Sequence, residues 1–103
     1  MKVEIINIYS NETPKGSTLK GDHGQSFLVS TEKEKILFDT GAKGKILMHN
    51  MKELDINPDE IDKVVFSHGH YDHTAGFPEF INSRTTNDIL KVYAHPDFRE
   101  EKK

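Results

Sequence analysis

The sequence predicts an α/β (equally, α+β) domain, and three observations carry that reading. Short β-branched apolar runs recur at 2–8, 26–30, 35–39, 63–66 and 89–94. A helical pattern spans 43–54 and a briefer one 77–82, and glycine-rich or polar breaks separate these segments. The chain has 103 residues, 34% hydrophobic and 30% charged, which bounds it to one small domain with a modest core. A domain of that size buries only about 60–70% of the surface its unfolded chain exposes, so a metal, a partner or further chain would add needed stability.

Each element has its own signal. The opening strand carries Val3, Ile5 and Ile8, with Ile6 expected on the other side. From Tyr9 to Gln25 the chain is polar and aperiodic, with Pro14, Gly16, Gly21 and Gly24, and reads as a long loop. Long loops in compact domains are often functional. Ser26–Ser30 and Lys35–Asp39 flank the polar Thr31-Glu32-Lys33-Glu34 and predict a β-hairpin with a solvated tip. After Gly41 and Gly44, the residues Ile46, Leu47, Asn50, Met51 and Leu54 fall at helical spacing, with Met48 and Met51 read as core or near-core fillers. Asn57-Pro58-Asp59-Glu60 joins an Asn cap to Pro at the first helical position and opens a short turn. Lys63–Phe66 then reads as a buried strand, 77–82 as a brief helix, 89–94 as a further strand, and 99–103 as a charged end.

Composition excludes several classes. Lys and Arg total 14 against 17 Asp and Glu, giving −3 and a pI near 6.0 without a basic stripe, so a nucleic-acid backbone is not expected as an electrostatic ligand. No run approaches the ~18 apolar residues of a membrane span, and the first ten residues lack a secretory pattern, so a cytoplasmic protein with no membrane association is expected. With no cysteine there is no disulfide and no thiolate nucleophile. Any metal must therefore be held by carboxylates and by some of the six histidines.

The chemistry concentrates directly after the 63–66 strand, in Ser67-His68-Gly69-His70-Tyr71-Asp72-His73-Thr74-Ala75-Gly76. At this chain's own His and Asp frequencies, a His-x-His-x-Asp-His window arises by chance with probability on the order of one in a thousand. In extended backbone, residues i and i+2 point the same way, so His68 and His70 can grip one cation while Gly69 lets the chain bend. Asp72 and His73 cannot share that geometry. Where the backbone turns they can face a second cation, the arrangement that activates water. Imidazole with carboxylate favours zinc, with manganese or iron also admissible.

His68-Gly69-His70-Tyr71-Asp72-His73 resembles the signature of the metallo-β-lactamase superfamily, and the polar loop, the hairpin and Asp39-Thr40-Gly41 extend the resemblance in the same order. The resemblance implies that 1–103 form the N-terminal βα half of an αββα sandwich, a single and incomplete domain. It implies that His68 and His70 bind one metal, that Asp72 and His73 bind another, and that Asp39 orients the site from behind the ligands. It further implies that a His, a bridging Asp and a final His come from a second half. His95 and His49 match no such position. Gly21-Asp22-His23-Gly24-Gln25-Ser26 is similar to the branch of the family that contains an archaeal pterin-pathway synthase, and within it His23 becomes a candidate substrate contact, although a solvated loop histidine is the plainer reading.

The expected function is a metal-dependent hydrolase in which two cations, zinc first, activate a water that attacks an ester, amide or phosphoester of a small molecule. Asp72 would be the catalytic residue, holding the second metal and orienting or deprotonating the nucleophile. Two alternatives stand beside it. One is a truncated or split half that binds metal weakly and works only with a complementing C-terminal half or as a homo-oligomer. The other is a mononuclear iron dioxygenase of the same fold.

Overall fold

Among the described residues, five strands and two helices follow one another in the order β1 (Val3–Tyr9), β2 (Ser26–Thr31), β3 (Lys35–Phe38), α1 (Gly44–Glu53), a 3₁₀ turn (Pro58–Glu60), β4 (Lys63–Phe66), α2 (Phe77–Ser83) and β5 (Lys91–Ala94). This computed structural model describes residues 2–10, 13, 16–21, 24–67 and 74–94. The strands form one sheet in the order β1-β2-β3-β4-β5, antiparallel through β3 and parallel from β3 to β5. Both parallel links are crossovers through a helix, α1 between β3 and β4 and α2 between β4 and β5, as parallel pairing requires.

The period of two along each strand decides which side chains are buried. Ile6 pairs with Leu28, Leu28 with Leu37 and Leu37 with Val64, so these residues form a row across one face. There they meet Ile8, Phe66, Leu47 and Met51 of α1, and Phe80 of α2. Phe66 and Phe77 pack edge to face with ring centroids 5.4 Å apart. Met51 is fully buried and Met48 packs against the cluster, as the helical spacing predicts. Val3 and Ile5 do not share a face with Ile8. Ile5 pairs with Val29, which pairs with Ile36, on the opposite side of the sheet, and Ile5 is 69% exposed. A second row runs Asn7, Phe27, Phe38, Val65, Tyr93 across that side.

The last strand is shorter than the apolar run suggests. β4 begins at Lys63, which pairs with Lys91, so Ile89 has no opposite residue to form a ladder with and is 84% exposed. The stretch before it is anchored differently. The guanidinium of Arg84 donates to the carbonyls of Pro58 and Ile61, each at 2.8 Å. Asp59 accepts from the backbone N–H and hydroxyl of Thr85 and from the N–H of Thr86. These bonds, the Thr85 hydroxyl first, hold the Asp59 carboxyl below its ordinary pKa. A carboxyl with a depressed folded-state pKa stabilises the fold above its unfolded value, near pH 4, and loses that contribution as pH falls through the folded value. Asp59→Asn is therefore expected to flatten the acid limb of a stability-versus-pH curve below about pH 4, with equilibrium urea unfolding as the measure.

Candidate functional site

The pairing pattern sends the C-terminal ends of β1, β3, β4 and β5, and the start of β2, to one end of the sheet. The long loop, the Asp39-Thr40-Gly41 turn and the segment that begins at Ser67 all leave from that end. In open α/β sheets this is where ligands bind.

Asp39 organises it. Its N–H donates to the Val65 carbonyl at 2.9 Å, extending the β3–β4 ladder by one residue, and its carbonyl accepts from the Ser26 hydroxyl at 2.6 Å. The backbone then turns through φ 59°, a left-handed conformation that Asp tolerates better than most residues. The side chain, 1% exposed, is directed at the end of β4: Oδ1 accepts from the Ser67 N–H at 2.8 Å and Oδ2 from the Ser67 hydroxyl at 2.7 Å. The residue immediately before His68 is thus held at two points.

The other side of the motif returns to the same turn. Gly76 donates its N–H to the Gly41 carbonyl at 3.0 Å, and a Cβ on Gly76 would run into the Thr40 carbonyl oxygen. Gly41 itself, at φ 73°, lies so close to the Tyr9 ring that a Cβ there would clash with it. The Tyr9 hydroxyl accepts from the Lys43 N–H at 3.2 Å, at the entry to α1. Turn 39–41 therefore holds both Ser67 and Gly76, which bracket the run from His68 to Ala75.

The long loop is fastened from α1. Asn50 is 1% exposed and donates from Nδ2 to the carbonyls of Ile8 and Lys20, at 2.8 and 2.7 Å, while its Oδ1 accepts from the Lys20 N–H at 2.8 Å. His49 Nε2 lies 2.8 Å from the Thr18 carbonyl, so this histidine is engaged with the loop. Residues 18 and 20 are held in this way just before the Gly21–Ser26 segment.

Of the residues singled out by the sequence, Asp39 lies at this end of the sheet. His68, His70, Asp72 and His73, the candidate substrate contact His23, and His95 lie outside the described residues. Among the described residues no three His, Asp or Glu side chains converge as a metal site. The donor set of the motif, three imidazoles and a carboxyl with no thiol, suits zinc, manganese or iron by its chemistry. Sequence reading assigned no role to Ser67, Gly76, Tyr9 or Asn50. Only Asn50 carries a signal of its own, a polar residue on the apolar stripe of α1.

This arrangement defines a class. The profile of the Metallo-beta-lactamase superfamily matches residues 19–103, and the chain belongs to that family. Among curated proteins it is 38% identical over 103 aligned residues to the 7,8-dihydropterin-6-methyl-4-(beta-D-ribofuranosyl)-aminobenzene-5'-phosphate synthase of Methanocaldococcus jannaschii, covering 93% of this chain and 34% of the synthase. It is 36% identical over 56 residues to the exodeoxyribonuclease WalJ of Streptococcus pneumoniae, covering 54% of this chain and 21% of that protein. Among solved structures, Tm1679, a metal-dependent hydrolase of the beta-lactamase superfamily, matches with TM-score 0.59 and 33% identity over 73% of this chain and 26% of that one. The short form of human tRNase Z shares the fold with TM-score 0.67 at 19% identity, over 94% of this chain and 37% of that one. The chain thus spans about a third or less of the length of these curated relatives. Among the described residues no helix is long and apolar enough to cross a membrane.

Proposed function

We propose that this chain carries the first set of metal ligands of a hydrolase acting on a phosphoester of a small molecule. His68 and His70 hold one cation, and Asp72 and His73 hold a second. Bound there, zinc supplies a water activated near neutral pH and positive charge for the oxyanion that develops on attack. With the cations bound, Asp72 would orient the attacking water or accept its proton. Asp39 and Ser67 keep the start of the ligand run at the end of β4. The observation that carries this reading is the dense His68–His73 run, bracketed by Ser67 and Gly76, which both hydrogen-bond to turn 39–41.

The phosphoester is favoured because one relative is named a 5'-phosphate synthase and another an exodeoxyribonuclease. The −3 net charge without a basic stripe favours a small phosphorylated molecule over a polynucleotide.

A second reading has its own observation behind it. Val3, Ile5 and Tyr93 are exposed on the sheet face away from α1 and α2, and the chain covers 34% of the synthase. On this reading the remaining ligands come from further chain or from a complementing polypeptide seated on that face, and the half alone binds metal weakly.

Native mass spectrometry of the purified chain, with and without zinc, tests both readings. Retention of two zinc ions, lost in a His68→Ala/His70→Ala variant, supports the hydrolase and leads to phosphodiesterase assays with bis(p-nitrophenyl) phosphate. Weak uptake that strengthens only in a complex supports the half-site reading. Selective uptake of a single iron overturns the two-cation hydrolase, and a folded chain that takes up none of zinc, manganese or iron, alone or in a complex, overturns both readings.

A further inference from the structure

We infer that β5 is an interface between two copies of this chain. Lys91–Ala94 pairs antiparallel with the same strand of a second copy, about a two-fold axis through Val92, and joins the two sheets into one. The inference draws on β4 and β5 and stands independently of the metal reading.

Edge strands of natural proteins are commonly blunted by bulges, proline or charge. β1 carries such an irregularity, a register shift between Asn7 and Tyr9. β5 keeps an unbroken register with β4 from Lys91 to Ala94, and all four of its residues are exposed. Val92 is 47% and Tyr93 48% accessible, and Ile89, just before the strand, 84%. The backbone fixes which residues can pair. The Lys91 N–H donates to the Asp62 carbonyl at 3.2 Å, so Lys91 and Tyr93 direct their peptide groups at β4. Val92 and Ala94, one position out of phase, direct theirs away from the sheet. An axis through Val92 lets its N–H and C=O exchange both bonds with the second copy's Val92. Val92 pairs with the buried Val64, so the two valines then meet on the face that carries the helices. On the other face the same axis sets Lys91 opposite the second copy's Tyr93. That is the closer, non-hydrogen-bonded kind of pair, in which an ammonium gains from an aromatic ring. The charges select this register: parallel pairing of the two strands in register would oppose the two Lys91 ammonium groups. A contact of this extent lies at the low end of specific interfaces, so the dimer forms at micromolar and not nanomolar concentrations.

Sedimentation velocity of the full chain, from about 5 to about 500 μM, tests this. The dimer fraction is expected to rise with concentration. Val92→Glu, which sets two carboxylates against each other on the axis, is expected to stay monomeric throughout with unchanged far-UV circular dichroism, since the position is half exposed. A covalent trap gives a second readout that does not depend on that variant folding. The chain has no cysteine, so Val92→Cys carries a single thiol, and opposed residues of a hydrogen-bonded antiparallel pair lie within disulfide reach. Under mild oxidation it is expected to cross-link about 10–100-fold faster than Lys33→Cys at the exposed hairpin tip, because a dimer holds its thiols at an effective concentration in the mM range. A wild-type chain that is monomeric at about 500 μM overturns the inference. So does cross-linking of Val92→Cys no faster than that of Lys33→Cys. A dimer that survives Val92→Glu but is lost in Ile5→Glu assigns contact to the open sheet face and also overturns it.

Discussion

Gly41→Ala is expected to cost about 2–5 kcal/mol of folding stability, a large fraction of the 5–15 kcal/mol available to a small domain. Two effects act together. At φ 73° an L-residue pays about 1–2 kcal/mol that glycine does not. The added Cβ would also lie 2.6 Å from Cδ2 and Cε2 of Tyr9 and 2.8 Å from its Cγ. The ring cannot retreat cheaply, because Tyr9 is 1% exposed and its hydroxyl is bonded to the start of α1. Overpacking of that kind costs about 1–3 kcal/mol. Gly16→Ala provides the control: φ is 83°, but nothing lies within 4 Å of the added Cβ, so only the conformational cost of about 1–2 kcal/mol applies. Thermal and urea unfolding of the two variants separate the contributions, and equal losses would show that the Tyr9 contact is not what makes position 41 demand glycine.

Asn50→Ala is expected to cost about 2–4 kcal/mol, because it leaves the Ile8 and Lys20 carbonyls and the Lys20 N–H without the partner that satisfies them. The local consequence is as informative as the global one. Amide exchange at Lys20 should rise by far more than at Leu37 or Val64, since the loop is released from α1 while the sheet remains paired. Asn50→Asp gives a signed test. It keeps an acceptor for the Lys20 N–H but faces two carbonyl oxygens with a group that can donate only when protonated. Burial and those carbonyls favour the neutral form, which raises the folded-state pKa above the unfolded one. The variant should therefore regain stability as pH falls toward about 4 and lose it as pH rises through that region. Indifference of the Asn50→Asp variant to pH would mean that the clasp is not buried as described.

The element pattern was legible in the sequence because each element rests on a local signal: period two in the strands, helical spacing at Ile46, Leu47, Met51 and Leu54, and Pro58 behind Asn57. The exceptions are places where a neighbour decides. Ile89 looks like strand by composition, but pairing starts where β4 starts, and Ile5 looks like core until its pairing with Val29 puts it on the face opposite to Ile6 and Leu28, while a register shift between Asn7 and Tyr9 leaves both Ile8 and Tyr9 buried. Asp39 was readable as a site residue only through the family pattern around it. Ser67 and Gly76 were not readable as its partners, since nothing local distinguishes a serine or glycine that meets a turn 28 or 35 positions away from one that meets water.

By itself, then, the sequence determined the α/β class, the order of elements and the His- and Asp-rich composition of the run after β4, because strand alternation, helical period and residue chemistry are written within a few neighbouring residues. Only the tertiary structure decided that one turn, 39–41, holds both flanks of that run, and that α1 fastens the long loop through Asn50. Those contacts join segments about 30 residues apart, and hydrogen-bond geometry at that separation is set by how the sheet and helices pack.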